Sequence, residues 1–151
     1  MKAYDDEESV RRSAAFIYTA AGEVYRNAGG IQQAEMHLLE AAKLDPRASL
    51  CREKLASLYQ QTGQLHRACE KLDELCEIQP ENPIPFVQIG LLYARLQQFD
   101  KAETALRHAI EAGPEWSGGY VALAQLYLGT GNLSHDIEQL ALRAAELEPT
   151  A

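Results

Sequence analysis

The sequence predicts an all-α fold, an α-solenoid of about four stacked helix-turn-helix hairpins, and three observations carry that prediction. Ala, Leu, Glu and Gln dominate while β-branched residues and Phe are sparse, a balance that favours helix over strand. Tyr25, Tyr59, Tyr93 and Tyr127 stand 34 residues apart, and Pro46, Pro80 and Pro114 keep the same step, with Pro149 one residue late. Ala34, Ala68 and Ala102 repeat likewise, as do Leu38, Leu72 and Leu106. Within each period, apolar residues recur at helical spacing and helix breakers fall at two fixed places, which reads as two helices and two turns.

The first helix has no breaker from Ser9 to Ala28, so it is expected to start early and absorb residues 1–14 as an N-terminal extension. Hairpins then follow at about 15–48, 49–82, 83–116 and 117–151, forming a single domain over 15–151. In the second, Leu55, Leu58 and Tyr59 make the apolar stripe of one helix, Thr62-Gly63-Gln64 breaks it, and Ala68, Leu72, Leu75 and Cys76 stripe the next. Gly29, Gly63 and Gly131 occupy the mid-hairpin turn, where positive φ ends a helix without strain. The third hairpin has Gln97 there, followed by Gln98-Phe99-Asp100, so a differently shaped turn is expected. Gly22, Ala56, Gly90 and Ala124 mark close approach of the first helices to the second. The fourth hairpin carries one extra residue after Asn132-Leu133-Ser134 and holds Ile137 at the expected small position, so its second helix should be displaced or rotated.

Charge and composition exclude several functions. The net charge of −8 is spread along the chain and no segment is basic, which argues against a nucleic acid or an anionic membrane as partner. No stretch approaches the roughly 20 apolar residues of a membrane span. Asp5, Asp6, Glu7 and Glu8 stand where a signal peptide would be basic and then apolar. Cys51, Cys69 and Cys76 lack zinc spacing and are expected as buried small hydrophobes in a reducing, cytoplasmic compartment. No catalytic constellation, metal set or cofactor loop is visible. His37, His66, His108 and His135 are scattered and read as solvated, and Gly29-Gly30 and Gly118-Gly119 lack the flanks of a phosphate loop. Trp116 is expected to plug the junction of the third and fourth hairpins near Tyr120 or Tyr93.

Residues 89–93 read Ile-Gly-Leu-Leu-Tyr, and Ala21-Gly22-Glu23-Val24-Tyr25, Leu55-Ala56-Ser57-Leu58-Tyr59 and Leu123-Ala124-Gln125-Leu126-Tyr127 are similar. With the later Ala, the Leu four residues on and the closing Pro, this pattern over about residues 15–151 resembles the tetratricopeptide repeat family. The resemblance implies hairpins stacked in a right-handed superhelix and a protein-interaction scaffold without enzyme activity. It also implies that first helices line a concave wall. Carried onto this sequence, that wall comprises Phe16, Thr19, Glu23, Arg26 and Asn27, then Leu50, Glu53, Ser57, Gln60 and Gln61. Ile84, Val87, Leu91, Ala94 and Arg95 follow, then Gly118, Val121, Gln125 and Leu128.

The first two hairpins thus present polar groups and the last two a run of aliphatic side chains. The expectation is a partner peptide or helix laid with its apolar face on the aliphatic half, its direction set by the polar half. The competing expectation is that these aliphatics pack between neighbouring hairpins. One branch of the family clamps chaperone C-terminal carboxylates with Lys and Asn. Over the first three hairpins the matching positions are Thr19, Glu23, Lys54, Ile84 and Gln88, and one hairpin further along they are Glu53, Ser57, Gln88, Gly118 and Ala122; only Lys54 is basic, so that ligand is not expected. The stripe of Leu140, Ala144 and Leu147 has no capping helix after it, which points to an excised fragment or to pairing with a partner or a second copy. A peptide-binding adaptor is favoured over a homo-oligomeric scaffold segment or an accessory domain of a larger enzyme.

Overall fold

The computed structural model describes residues 2–133 and 137–148, with side chains from residue 6 onward. Eight helices occupy these residues, and among them there is no strand. They form two compact units, Met1–Ile78 and Gln79–Ala151. The first contains α1 (Lys2–Asn27), α2 (Ile31–Leu44), α3 (Ser49–Gln61) and α4 (Leu65–Ile78). The second contains α5 (Pro83–Arg95), α6 (Phe99–Ala112), α7 (Ser117–Thr130) and α8 (Ile137–Leu147).

In each unit two antiparallel hairpins pack in series, α1/α2 against α3/α4 and α5/α6 against α7/α8. The core of the first unit is built from Ala34, Leu38 and Ala41 of α2, Leu55, Leu58 and Tyr59 of α3, and Ala68, Leu72 and Leu75 of α4. That of the second gathers Ala102 and Leu106 of α6 with Ala122, Leu123, Leu126 and Tyr127 of α7. Burying such stripes at about 25 cal/mol per Å² of apolar surface is what joins helices too short to persist alone.

All four hairpin turns close in the same way, because one residue takes a left-handed conformation and the next amide reaches back five residues to a tyrosine carbonyl. The left-handed residues are Gly29 (φ 84°), Gly63 (φ 75°), Gln97 (φ 59°) and Gly131 (φ 69°). The closing bonds run from the amides of Gly30, Gln64, Gln98 and Asn132 to the carbonyls of Tyr25, Tyr59, Tyr93 and Tyr127, at 2.8, 2.8, 2.9 and 2.9 Å. The different third turn expected from Gln97 is therefore not found. Packing of α5 on α6 together with the turn's own hydrogen bonds outweighs the roughly 1 kcal/mol that a left-handed non-glycine residue costs. Gln97→Gly should remove that strain and raise stability by about 0.5 to 1 kcal/mol, read as a higher urea midpoint with an unchanged slope.

The fourth hairpin departs from the others as expected from its extra residue. Ile137 and Leu140 of α8 pack against the core of the second unit, and Ala144 is buried, so the stripe seen as Ala68, Leu72 and Leu75 in α4 is shifted in α8. A cleft of about 510 Å³ opens between α6, α7 and α8, lined by Arg107, Leu123, Tyr127, Leu140 and Arg143. Ser134, His135, Pro149 and the last two residues lie outside the described residues.

Candidate peptide-binding site

In the first unit the wall expected from α1 and α3 is occupied by its own ion pairs. Glu23 Oε2 accepts from Arg26 at 3.0 Å and pairs with Lys54 Nζ at 3.0 Å, and Arg26 Nη1 donates to Ser57 Oγ at 3.3 Å. Two cations thus meet one carboxylate, and the polar groups that were to orient a partner tie α1 to α3 instead. Thr19 is corrected outright: it is 5% exposed and its hydroxyl donates to the Ala15 carbonyl at 2.8 Å, the usual resting place of a threonine inside a helix. Gln60 is half-buried, whereas Phe16, Asn27, Leu50, Glu53 and Gln61 remain exposed.

In the second unit the aliphatic wall is open. Ile84, Leu91, Val121 and Leu128 are 51, 46, 37 and 58% exposed, and Gln125 and Arg95 are exposed beside them. Val87 and Ala94 are half-buried and pack on the core of the unit, so for these two the alternative of internal packing holds. A cleft of about 220 Å³ runs between α5 and α7. Its walls are Leu91 and Ala94 on one side and Ala122, Gln125 and Leu126 on the other. Phe99 and Leu106 of α6 and the bare backbone of Gly90 and Gly129 complete its lining. Neither α5 nor α7 carries an acidic residue, and their single base is Arg95, which has no ion pair among the described residues.

The placement of two aromatic residues was not legible in the sequence. Trp116 does not plug a junction: it is 37% exposed and its indole lies over Gly118, where a Cβ would come within 2.2 Å of the ring. The signal was the absent side chain at Gly118, which makes room for the indole at the start of α7. Phe99, 45% exposed, enters the cleft from the N-terminus of α6, a position that hairpin logic assigns to the outside.

The other polar groups do not assemble into reactive chemistry. Burial pushes the Cys51 thiol up and the Cys76 thiol to about 11, so both stay protonated at neutral pH. His37 is not simply solvated, since its ring stacks on Tyr25 at 5.0 Å and lies 5.7 Å from Tyr18, and His108 meets the edge of Phe86 at 6.0 Å. Among the described residues no three His, Cys, Asp or Glu side chains converge on a metal position, and no helix is long and apolar enough to cross a membrane.

The tetratricopeptide repeat family model matches residues 52–82 and 86–115. These segments are tetratricopeptide repeats. Solved structures repeat the architecture over most of the chain. MamA shares 20% identity over 97% of this chain and 85% of that one, with a TM-score of 0.75. The first repeat domain of Spaghetti (RPAP3), bound to an HSP90 peptide, shares 15% over 80% of this chain and 95% of that one, with a TM-score of 0.66. PilF of Pseudomonas aeruginosa shares 20% over 91% and 63%, with a TM-score of 0.69. No curated protein matches the chain by sequence. At these identities the likeness is one of fold, and tetratricopeptide repeats are in general scaffolds for protein–protein interaction rather than enzymes.

Proposed function

We propose that the second unit is the binding end of an interaction module, and that its α5/α7 cleft takes a short apolar segment of a partner protein carrying one carboxylate. The observation that supports this reading is the cleft itself. Leu91, Val121 and Leu128 stand in solvent around an acid-free apolar trough, a combination a merely solvated wall has no reason to keep. Aliphatic or aromatic side chains of the partner fill the trough, and Arg95 on the last turn of α5 pairs with the carboxylate, fixing register and direction. The Spaghetti domain holds its peptide on the same scaffold. Here the positions of the chaperone-tail clamp hold a buried Thr19 and a Glu23 already paired with two cations, so a different ligand chemistry is favoured.

Selection from a random peptide library tests the proposal. Bound sequences should share two or more large apolar residues and one Asp or Glu. Leu91→Asp with Val121→Asp should weaken binding of a selected peptide by more than about a hundredfold, and Arg95→Ala by about tenfold with a smaller salt dependence. Both side chains are partly exposed, at 46 and 37%, so the double variant should keep its helical circular dichroism and a cooperative urea transition at a lower midpoint. Undiminished binding to the folded double variant would overturn the assignment.

A further inference from the structure

The outer face of α1 is apolar and open. Val10, Ile17 and Val24, spaced by two helical turns and therefore on one side of the helix, are 66, 67 and 67% exposed, and Tyr25 beside them is 42% exposed. One repeat further on, the same register holds Cys51, Leu58 and Tyr59 of α3, all 1% exposed or less. On that side α3 receives α2, for the Tyr59 hydroxyl donates to Glu35 at 2.9 Å. The second unit repeats the arrangement. Gly119 and Leu126 take the places of Ile17 and Val24, a Cβ at Gly119 would lie 3.1 Å from Ile110 of α6, and the Tyr127 hydroxyl donates to Glu103 at 2.7 Å. The face left open on α1 is thus the one that, inside each unit, is covered by the second helix of the preceding hairpin.

The complementary face is present at the other end of the chain. Glu103, Arg107 and Ile110 are the α6 residues turned toward α7. Allowing for the extra residue of the fourth hairpin, their places in α8 are taken by Glu138, Leu142 and Ala145. All three are exposed, Leu142 by 65%. We propose that copies of this chain stack head to tail, α8 of one covering α1 of the next. Leu142 and Ala145 then lie on Val24 and Ile17, and Glu138 accepts a hydrogen bond from the Tyr25 hydroxyl, as Glu35 and Glu103 do from Tyr59 and Tyr127. The two faces differ, so the contact is heterologous and each added copy leaves one fresh face of each kind.

Sedimentation of the full chain at rising concentration tests this. The wild type should form an open series of dimers, trimers and longer species below about 1 mM. Val24→Asp and Leu142→Glu should each stay monomeric, but each retains one intact face, so an equimolar mixture of the two should give a discrete dimer and nothing larger. Tyr25→Phe should weaken stacking about tenfold while leaving the fold unchanged. The peptide-site variant Leu91→Asp/Val121→Asp should assemble like the wild type, so failure here is separable from failure of the binding proposal. A wild type that stays monomeric throughout would overturn the proposal and leave the α1 face to a helical hairpin of another protein. Assembly that Leu142→Glu does not disturb, or a variant mixture without a dimer, would also overturn it.

Discussion

Leu106→Ala should destabilise the second unit by about 2 to 5 kcal/mol, the usual range for emptying a fully buried leucine site. Leu106 is 1% exposed and is surrounded by Ala102, Leu123, Leu126 and Tyr127, none of which can follow it inward without opening another gap. Its most intimate neighbour is a missing side chain: a Cβ on Gly90 would come within 2.7 Å of Leu106 Cγ and 2.8 Å of Cδ2. Gly90→Ala alone should therefore cost about 1 to 3 kcal/mol by overpacking. In the double variant the new methyl occupies space that the leucine has left, so the combined loss should fall short of the sum by at least about 0.5 kcal/mol. The carbonyl of Ala102, 3.3 Å from the same point, keeps the rescue incomplete. Gly22 and Leu38 repeat the contact in the first unit at 2.7 Å and provide an independent cycle. Urea unfolding followed by circular dichroism measures all of these, and strict additivity would mean that the small residue is not there to admit the leucine.

Alkaline pH should weaken both units through Tyr59 and Tyr127. Burial, reinforced by the hydrogen bonds to Glu35 and Glu103, pushes each phenol up to about 12. An unfolded tyrosine ionises near 10, so the folded state holds these protons more tightly. The associated stabilisation is complete below pH about 10, declines as pH rises toward 12 and is lost above it. Each side chain should account for about 1 to 3 kcal/mol across that window. Unfolding free energies at pH 9, 11 and 12 should trace this loss, with the tyrosinate absorbance of the native protein lagging that of the denatured one. Tyr59→Phe should shrink the alkaline loss although it costs only about 1 kcal/mol near neutrality, because Glu35 keeps its pairing with Arg67. Equal alkaline sensitivity in Tyr59→Phe and wild type would refute the role assigned to this phenol.

Some of the candidate site could be read from the chain directly. Ile84, Leu91, Val121 and Leu128 were singled out because aliphatic residues recur on the first helices of the last two hairpins, and all four are exposed. Val87 and Ala94 share that pattern yet rest on the core, since residues adjacent on a helical wheel differ in depth only once neighbouring helices are in place. The internal pairing of the polar half was illegible for the same reason. Arg26 and Ser57 lie 31 residues apart and meet only after α1 packs on α3, so nothing local announces that Arg26, Glu23 and Lys54 satisfy one another.

What the sequence determined alone is the hairpin order, the position of every turn and the close helix approach marked by Gly22 and Gly90. Helical periodicity, breakers and the 34-residue step are properties of neighbouring residues, and they survive in any arrangement of the hairpins. Only the tertiary structure decided that Gln97 adopts the glycine conformation, that Thr19 is buried, that Trp116 covers Gly118 and that one flank of α1 faces solvent. Each of these depends on which distant segment excludes water from a given side chain, and that free energy exists only once the helices have packed.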